Sequence, residues 1–420
     1  MQLDTVSQPA VEQIERLGGA DLVIGILESQ HAGEAGAAVN MVREAVTGLS
    51  RVQRAVVISN NGAYSSVPAS TEAVSGDKSP EVLLYGLPAP SAAETPWQSR
   101  SREYGNVFAL GRKLEARACV VIASQSQTET AQWVRRLVRP ILELGFDLAA
   151  PGYSRNRMEG LLNRSVLSPL HRALYGEQLE NPLGPDFGLS GKLLQRLLGD
   201  DSAIRRNNSN DLVASIASTA ACGGLQVCES HLGARTQPST DWMNLSSLLA
   251  EVLGPVFLDM ERQAASWQRI RAAKPVTRFG SSDAQDSDTG TVEVQPMIES
   301  FQLGAQNLQD IWGIMLPPTT MLEVKKLSRQ PVESFRMPDD LWVRIVYDFA
   351  LGHHIRTISR DHLLRSFTPL YVGWIASYAL EMGTAGPAEI EGRTERLART
   401  YESSKPYLVS RWRWPDRFNP

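Results

Sequence analysis

Nowhere in its 420 positions does the chain hold a run of about 18 apolar residues, so no membrane-spanning helix is expected. Its first residues, MQLDTVSQPAVEQIERLGG, carry acids early and lack the apolar core of a secretory signal. Cysteine is scarce. Cys119, Cys222 and Cys228 make an odd, sparse set that cannot build a disulfide framework, and the 222/228 spacing is not one that zinc sites use. Cys119 lies in an apolar run and reads as a small buried hydrophobe. These features predict a cytoplasmic protein. Positive charge is not in excess either. Against 42 basic residues stand 46 acidic ones, a net charge of −4, so no field gathers nucleic acid or anionic lipid, and neither is an expected partner.

What the chain does have is ordinary globular composition, 42% hydrophobic and 21% charged, and length for two or three domains. Short apolar runs at 21–27 (DLVIGIL), 55–59 (AVVIS), 82–85, 118–123 (ACVVIA) and 146–150 read as buried strands. Between them lie segments of helical spacing: Val39, Val42, Val46 and Leu49; residues 105–114; and 130–144, with Trp133, Leu137, Ile141 and Leu144 on one side. Strand and helix alternate, which predicts an α/β, doubly wound sheet. Residues 86–101 are rich in Pro, Ala and Ser and read as a loop. In such sheets ligands sit beyond the carboxyl ends of the strands, so loops 27–31, 59–65 and 123–128 are the first to inspect. The expected division is an extension over 1–20, the α/β domain over 21–240, a connecting helix over 241–275, a Gly/Ser/Asp-rich linker over 276–296 and a helical accessory domain over 297–420.

The segment PGYSRNRMEGLLNRSVLSPLHRALYGEQLENPLGPDFGLSG, 151–191, resembles the retaining GT-A glycosyltransferases that make glucosylglycerate or mannosylglycerate. So do DLVIGIL, ARACVVIASQSQ, VCESHLGAR and the tail runs LWVRIVYDFAL, DHLLRSFTPLY and KPYLVSRWRWP. The resemblance implies a GT-A nucleotide-sugar domain followed by a helical domain. It also implies a nucleotide-sugar donor, a small hydroxy-acid acceptor such as glycerate, and a divalent cation, Mg²⁺ or Mn²⁺.

The cation is where this sequence departs from the family. Hard divalent ions prefer oxygen ligands, and the family supplies them from Asp-x-Asp after the fourth strand. Here the matching residues are Ala123, Ser124 and Gln125, and no acid appears before Glu129. The family's metal histidine corresponds to Gln237 or Thr236; His231, earlier in that strand, reads as a core or surface histidine. No metal or other cofactor is therefore expected. The donor loops are altered as well, to Glu28 and its neighbours after the first strand and to Asn60 and its neighbours after the second. Arg100 and Arg102 stand where the family has a Gly-Lys-Gly phosphate loop. They either pair with a diphosphate, as guanidinium groups do, or are solvated surface arginines.

The acceptor segment is better kept. The resemblance singles out Gly184 and Asp186, the latter binding an acceptor hydroxyl or taking its proton, against a structural turn aspartate as the alternative. Pro185 replaces a family glycine and removes a backbone donor. Tyr153, Arg155 and Arg157 suit an anionic acceptor, or form a solvent-facing basic loop. Asp211 lies near a further family motif and is equally an N-cap residue. In the tail, Asp348, His353, His354, Asp361 and His362 are dense enough to consider a second metal site, with helix-surface packing preferred. Trp412, Arg413 and Trp414 suggest aromatic–arginine stacking onto the α/β domain. Two readings follow: an impaired relative that binds a ligand or partners an active paralogue in an oligomer, and an active glycosyltransferase in which arginines replace the cation.

Overall fold

The computed structural model describes residues 18–27, 42–47, 49, 52–59, 81–86, 96–123, 127–199, 212–235, 244–280 and 292–414. The apolar runs become strands because both faces of each are covered. Every residue of β1 (Leu22–Leu27) and β4 (Ala118–Ala123) is buried. The others are β2 (Arg54–Ser59), β3 (Glu81–Gly86), β5 (Leu148–Ser154), β6 (Phe187–Ser190), β7 (Val227–Ala234) and β8 (Thr277–Phe279). Together they form one eight-stranded sheet of order β3-β2-β1-β4-β6-β5-β7-β8. β1 is parallel to β2 and β4, and β2 to β3, whereas β6 runs antiparallel to both β4 and β5. β8 falls in the stretch expected to be a linker and pairs in parallel with β7.

Strand alternation assigns the two faces. Leu22, Ile24, Ile26, Ala118, Val120 and Ile122 share a core with Trp133, Val134, Leu137, Val138 and Ile141 of helix α2 (Gln127–Leu142). The intervening residues face helix α1 (Pro96–Lys113). There Gly25 meets Val107, whose methyl would lie 2.6 Å from a Cβ added at that glycine. Helices on both faces of the sheet make the expected doubly wound α/β architecture.

Helix α1 corrects the loop expected over 86–101: it begins at Pro96, so Arg100 and Arg102 lie on a helix. The Pro/Ser/Ala-rich composition hid this, although a proline at the first helical position, after a threonine, is a helix-start signal. Close approach also dictates Gly188 in β6, where an added Cβ would stand 2.5 Å from the Leu137 carbonyl oxygen of α2. Gly188→Ala is expected to cost roughly 1–3 kcal/mol through the backbone shift it forces, measured by urea denaturation.

The described residues within 1–153, 181–233 and 276–282 form one compact unit, and those within 154–180, 234–275 and 283–420 a second. The second unit is helical: α3 (Ser168–Tyr175), α6 (Leu245–Arg262), α7 (Gln295–Asn307), α8 (Gln309–Met315), α9 (Pro318–Leu327), α10 (Asp339–Ile355), α11 (Arg360–Ser366), α12 (Thr368–Met382) and α13 (Pro387–Arg413). Helices α4 (Gly191–Leu198) and α5 (Leu212–Cys222) belong to the sheet unit. Before α3 the chain makes a π-helical turn, Asn163–Leu167. The buried Ser165 carbonyl in that turn accepts from Trp342 Nε1 (3.0 Å) on α10 and from the Tyr401 hydroxyl (2.8 Å) on α13, which satisfies a group the widened turn exposes. Trp342 packs in turn on Phe367, Tyr371 and Trp374. Trp412 stacks on His354 (4.2 Å between centroids) and meets Trp267 edge-on, all within the helical unit.

Candidate functional site

The chain runs outward from β1 to β3 and returns through α1 to β4 on the other side of β1. The carboxyl ends of β1 and β4 therefore flank the point where strand order reverses, the crevice where open α/β sheets bind ligands. Leu27 and Ala123 are register partners at that edge, and alternation puts both side chains on the α1 face. Because β6 is antiparallel to β4 and β5, its beginning and the end of β5 reach the same edge. This is how residues far apart in sequence meet there.

Four of the residues singled out from the sequence come together: Ala123, Tyr153, Gly184 and Asp186. Asp186 is 0% exposed. Its Oδ1 accepts the Ala123 backbone N–H (2.7 Å), and its Oδ2 accepts the Tyr153 hydroxyl. The Tyr153 ring is held against Trp133 of α2, 6.2 Å between centroids. The preceding residue is fixed too, since the buried Tyr104 hydroxyl on α1 donates to the Pro185 carbonyl. Pro185 thus lacks a donor but contributes an acceptor. Gly184 packs where a side chain would run into the Pro151 ring, and the buried Asn181 Nδ2 donates to the Pro151 carbonyl (3.0 Å). The carboxyl edge of β4, β5 and β6 is therefore tied by one buried carboxylate.

The described residues of that arrangement do not fit a divalent cation. Ala123 has no side-chain oxygen, and both oxygens of the neighbouring carboxylate are engaged by the protein. Among the described residues no group of three His, Cys, Asp or Glu side chains could hold a metal ion. Glu28, Asn60, Gln125, Asp211, Thr236 and Gln237, and the side chain of Arg100, lie outside the described residues.

Arg102 is on α1, half-buried, in a helix whose first half carries a polar strip that the sequence reading missed: Ser99, Ser101, Glu103 and Asn106 are all buried. Ser99 Oγ lies 3.4 Å from Glu103 Oε1, and Asn106 Nδ2 has no hydrogen-bond partner. Buried polar side chains on the helix that enters the crevice edge are the kind of signal a loop assignment conceals. Arg155 and Arg157 belong to the helical unit. Arg157 Nη1 donates to the Gly383 carbonyl (2.7 Å), and the Arg157 carbonyl accepts from Arg164 Nη1 (2.9 Å) and the Tyr378 hydroxyl (3.2 Å). The Arg155 guanidinium covers Gly160, whose φ of +63° and lack of Cβ make room for it.

Four of the tail residues considered as a metal site, Asp348, His353, His354 and Asp361, have other neighbours. Asp348, buried, accepts from the Tyr407 hydroxyl (2.7 Å) and from Arg411, and burial still pushes its carboxyl up to about 7. His353 Nδ1 lies 3.5 Å from Glu261 Oε1, an oxygen that accepts from Arg360 Nη2 at 2.6 Å; burial and that guanidinium push His353 down to about 3. A second buried pair, missed in the sequence, joins the end of α3 to the following residue pair: His171 Nε2 and Glu177 Oε2 stand 4.0 Å apart, neither with a hydrogen-bond partner. Burial pushes His171 down to about 3 and Glu177 up to about 7, the latter against the pull of Lys274.

No family model and no curated relative matches the chain. Solved structures do resemble it. Glucosyl-3-phosphoglycerate synthase from Mycobacterium tuberculosis, in complex with uridine diphosphate, is similar at 15% identity over 60% of this chain and 84% of that one, with a TM-score of 0.34. The same enzyme with Mn²⁺, UDP-glucose and phosphoglyceric acid gives 15% identity, 60% and 83% coverage and a TM-score of 0.32. Mannosyl-3-phosphoglycerate synthase from Rubrobacter xylanophilus gives 12%, 63% and 81%, with a TM-score of 0.37. Likeness of this strength assigns neither family nor activity.

Proposed function

We propose that this chain is a GT-A-type, glycosyltransferase-like protein that binds a nucleotide-sugar at the β1/β4 crevice without a divalent cation, and that transfer to a small hydroxy acid is impaired. The observation that carries the reading is the end of β4. At the position matching the family's metal acids stands Ala123, with its backbone amide turned onto the buried carboxylate of Asp186. Charge on the diphosphate must then be met otherwise. The β3–α1–β4 crossover directs the N-terminal end of α1 to this edge, and a helix N-terminus with Arg100 and Arg102 on its early turns suits an anion. Asp186 acts here as a positioning residue for the edge rather than as a group in contact with acceptor. The erosion of several donor features together supports a binding role, in which the chain serves as subunit to an active paralogue.

The test is a thermal-unfolding panel of UDP-, GDP- and ADP-sugars, each with Mn²⁺ and with chelator. A donor at a hundred times its Kd stabilises by about 2.7 kcal/mol. The expected result is a rise in Tm with one nucleotide class, equal in both conditions. No rise with any donor in either condition sinks the reading.

A further inference from the structure

At the C-terminal end of α10 two consecutive histidines bring the same ring nitrogen near one carboxylate oxygen. His353 Nδ1 is 3.5 Å and His354 Nδ1 3.9 Å from Glu261 Oε1 on α6, and neither nitrogen has a hydrogen-bond partner. That oxygen is already engaged. Arg360 of α11 donates to it from Nη2 at 2.6 Å, and from Nε to the His353 carbonyl at 3.1 Å. A second guanidinium acts on both imidazoles from Arg356. Arg356 caps α10 with a φ of +56°, in the left-handed region where glycine or asparagine is usual, and its N–H donates to the Gly352 carbonyl. One carboxylate thus faces two guanidiniums and two imidazoles.

The two rings differ in their access to a proton. The His353 side chain is 2% exposed and packs edge-on against Phe257 of α6, whereas that of His354 is 33% exposed. The His354 ring is stacked on Trp412, with 7° between the planes, and Trp412 meets Trp267, the last residue of the short helical turn Ala264–Trp267. The final turn of α13 is therefore fastened to α10 through His354. A proton on this ring gains from the indole face and from Glu261, and loses to burial, Arg360 and Arg356. Burial is the largest of these influences, and the His354 pKa lies below its ordinary 6.5. Docked, the ring takes a proton less readily than it does once undocked. Stability of the docked turn is fully present above about pH 6.5 and is lost as pH falls below that value. The other charged groups on these elements have their own partners: Arg413 donates to Gln268 (2.7 Å), Arg411 to Asp348, and Arg365 to Asp361 (2.8 Å).

We propose that the stack of His354 on Trp412 is a proton-operated latch, which holds the final turn of α13 against α10 while the imidazole is neutral and releases it when the imidazole takes a proton from solvent. Release bares the rings of Trp412 and Trp267, which are otherwise buried. The test is amide hydrogen exchange of the full chain, read by mass spectrometry on peptides from the end of α13 and corrected for the intrinsic effect of pH. Between about pH 7.5 and about pH 5 the protection of those amides is expected to fall by up to about thirtyfold, the factor available roughly one and a half pH units below the free imidazole value. Peptides from β4 should keep their protection, which separates release of the turn from loss of the fold. His354→Phe keeps a ring on the indole and has no proton to gain, so its protection is expected to stay level across that range. His354→Gln also takes no proton but gives up the stack, so its protection is expected to be lower at both pH values and equally level. Asp348, pushed up to about 7, titrates in the same range, so the variants rather than the pH profile alone identify His354 as the group responsible. Protection that changes by less than about twofold in the unaltered chain, or a fall that persists in either variant, overturns the proposal.

Discussion

Asp186→Leu is expected to lower the unfolding free energy by roughly 2–5 kcal/mol, about 1–3 kcal/mol for each of the two buried donors it leaves without an acceptor. Leucine is branched at the same position but bulkier, and it takes away the acceptor that the Ala123 amide and the Tyr153 hydroxyl share. The change is not confined to one bond. The carboxylate joins β4 to the end of β5 across β6, so its loss should also loosen the Tyr153 ring against Trp133. Asp186→Asn keeps one acceptor oxygen and should cost less than half as much. Urea denaturation of both variants, with near-ultraviolet circular dichroism for the aromatic packing, checks the order. If the leucine variant is as stable as the unaltered chain, Asp186 does not hold this edge.

How much of this site could be read from sequence depended on whether the signal was local. The buried strands were legible because LVIGIL and ACVVIA carry no charged side chain, and the doubly wound class followed from their alternation with helices. Ala123 was placed correctly at the end of its strand for the same reason. The partnership of Ala123 with Asp186 was not legible: it joins positions 63 apart through the antiparallel insertion of β6, and no periodicity encodes which strand inserts where. Strand β8 escaped because three residues with two exposed show no alternation. The start of α1 escaped because composition outweighed a single proline signal. The pairing of His171 with Glu177 sits across a helix end, where Gly176 turns left-handed with a φ of +75°, and spacing alone does not show that both side chains are buried.

That pair gives a second large effect, of opposite sign. Glu177 has its pKa raised from 4.5 to about 7 by burial, so between those values the folded chain holds a proton that the unfolded chain has released. Stability contributed at this position is greatest below the unfolded pKa and falls as pH rises toward 7, by up to about 3 kcal/mol at 1.36 kcal/mol per unit. Glutamine matches the protonated acid in shape and has no proton to lose. Glu177→Gln is therefore expected to stabilise the chain at pH 8 by up to about 3 kcal/mol and to leave it nearly unchanged at pH 4. His171 and His353 work the other way. Each is pushed down to about 3, so the folded chain binds fewer protons than the unfolded one as pH falls below 6.5, and stability drops there. Denaturation midpoints of the Glu177→Gln chain across pH 4 to 8, set against the unaltered chain, separate the two slopes. A glutamine variant less stable at pH 8 would mean that Glu177 is held as an anion by its surroundings.

The claim on which the functional account turns is that the crevice beside Ala123 needs no cation to hold a sugar nucleotide. Calorimetric titration of the full chain with UDP-glucose or GDP-mannose, once in chelator and once in saturating Mn²⁺, addresses it directly. The account predicts the same Kd in both solutions, within about a factor of two, or about 0.4 kcal/mol. Binding that appears only with Mn²⁺, or tightens by more than about tenfold in its presence, contradicts it.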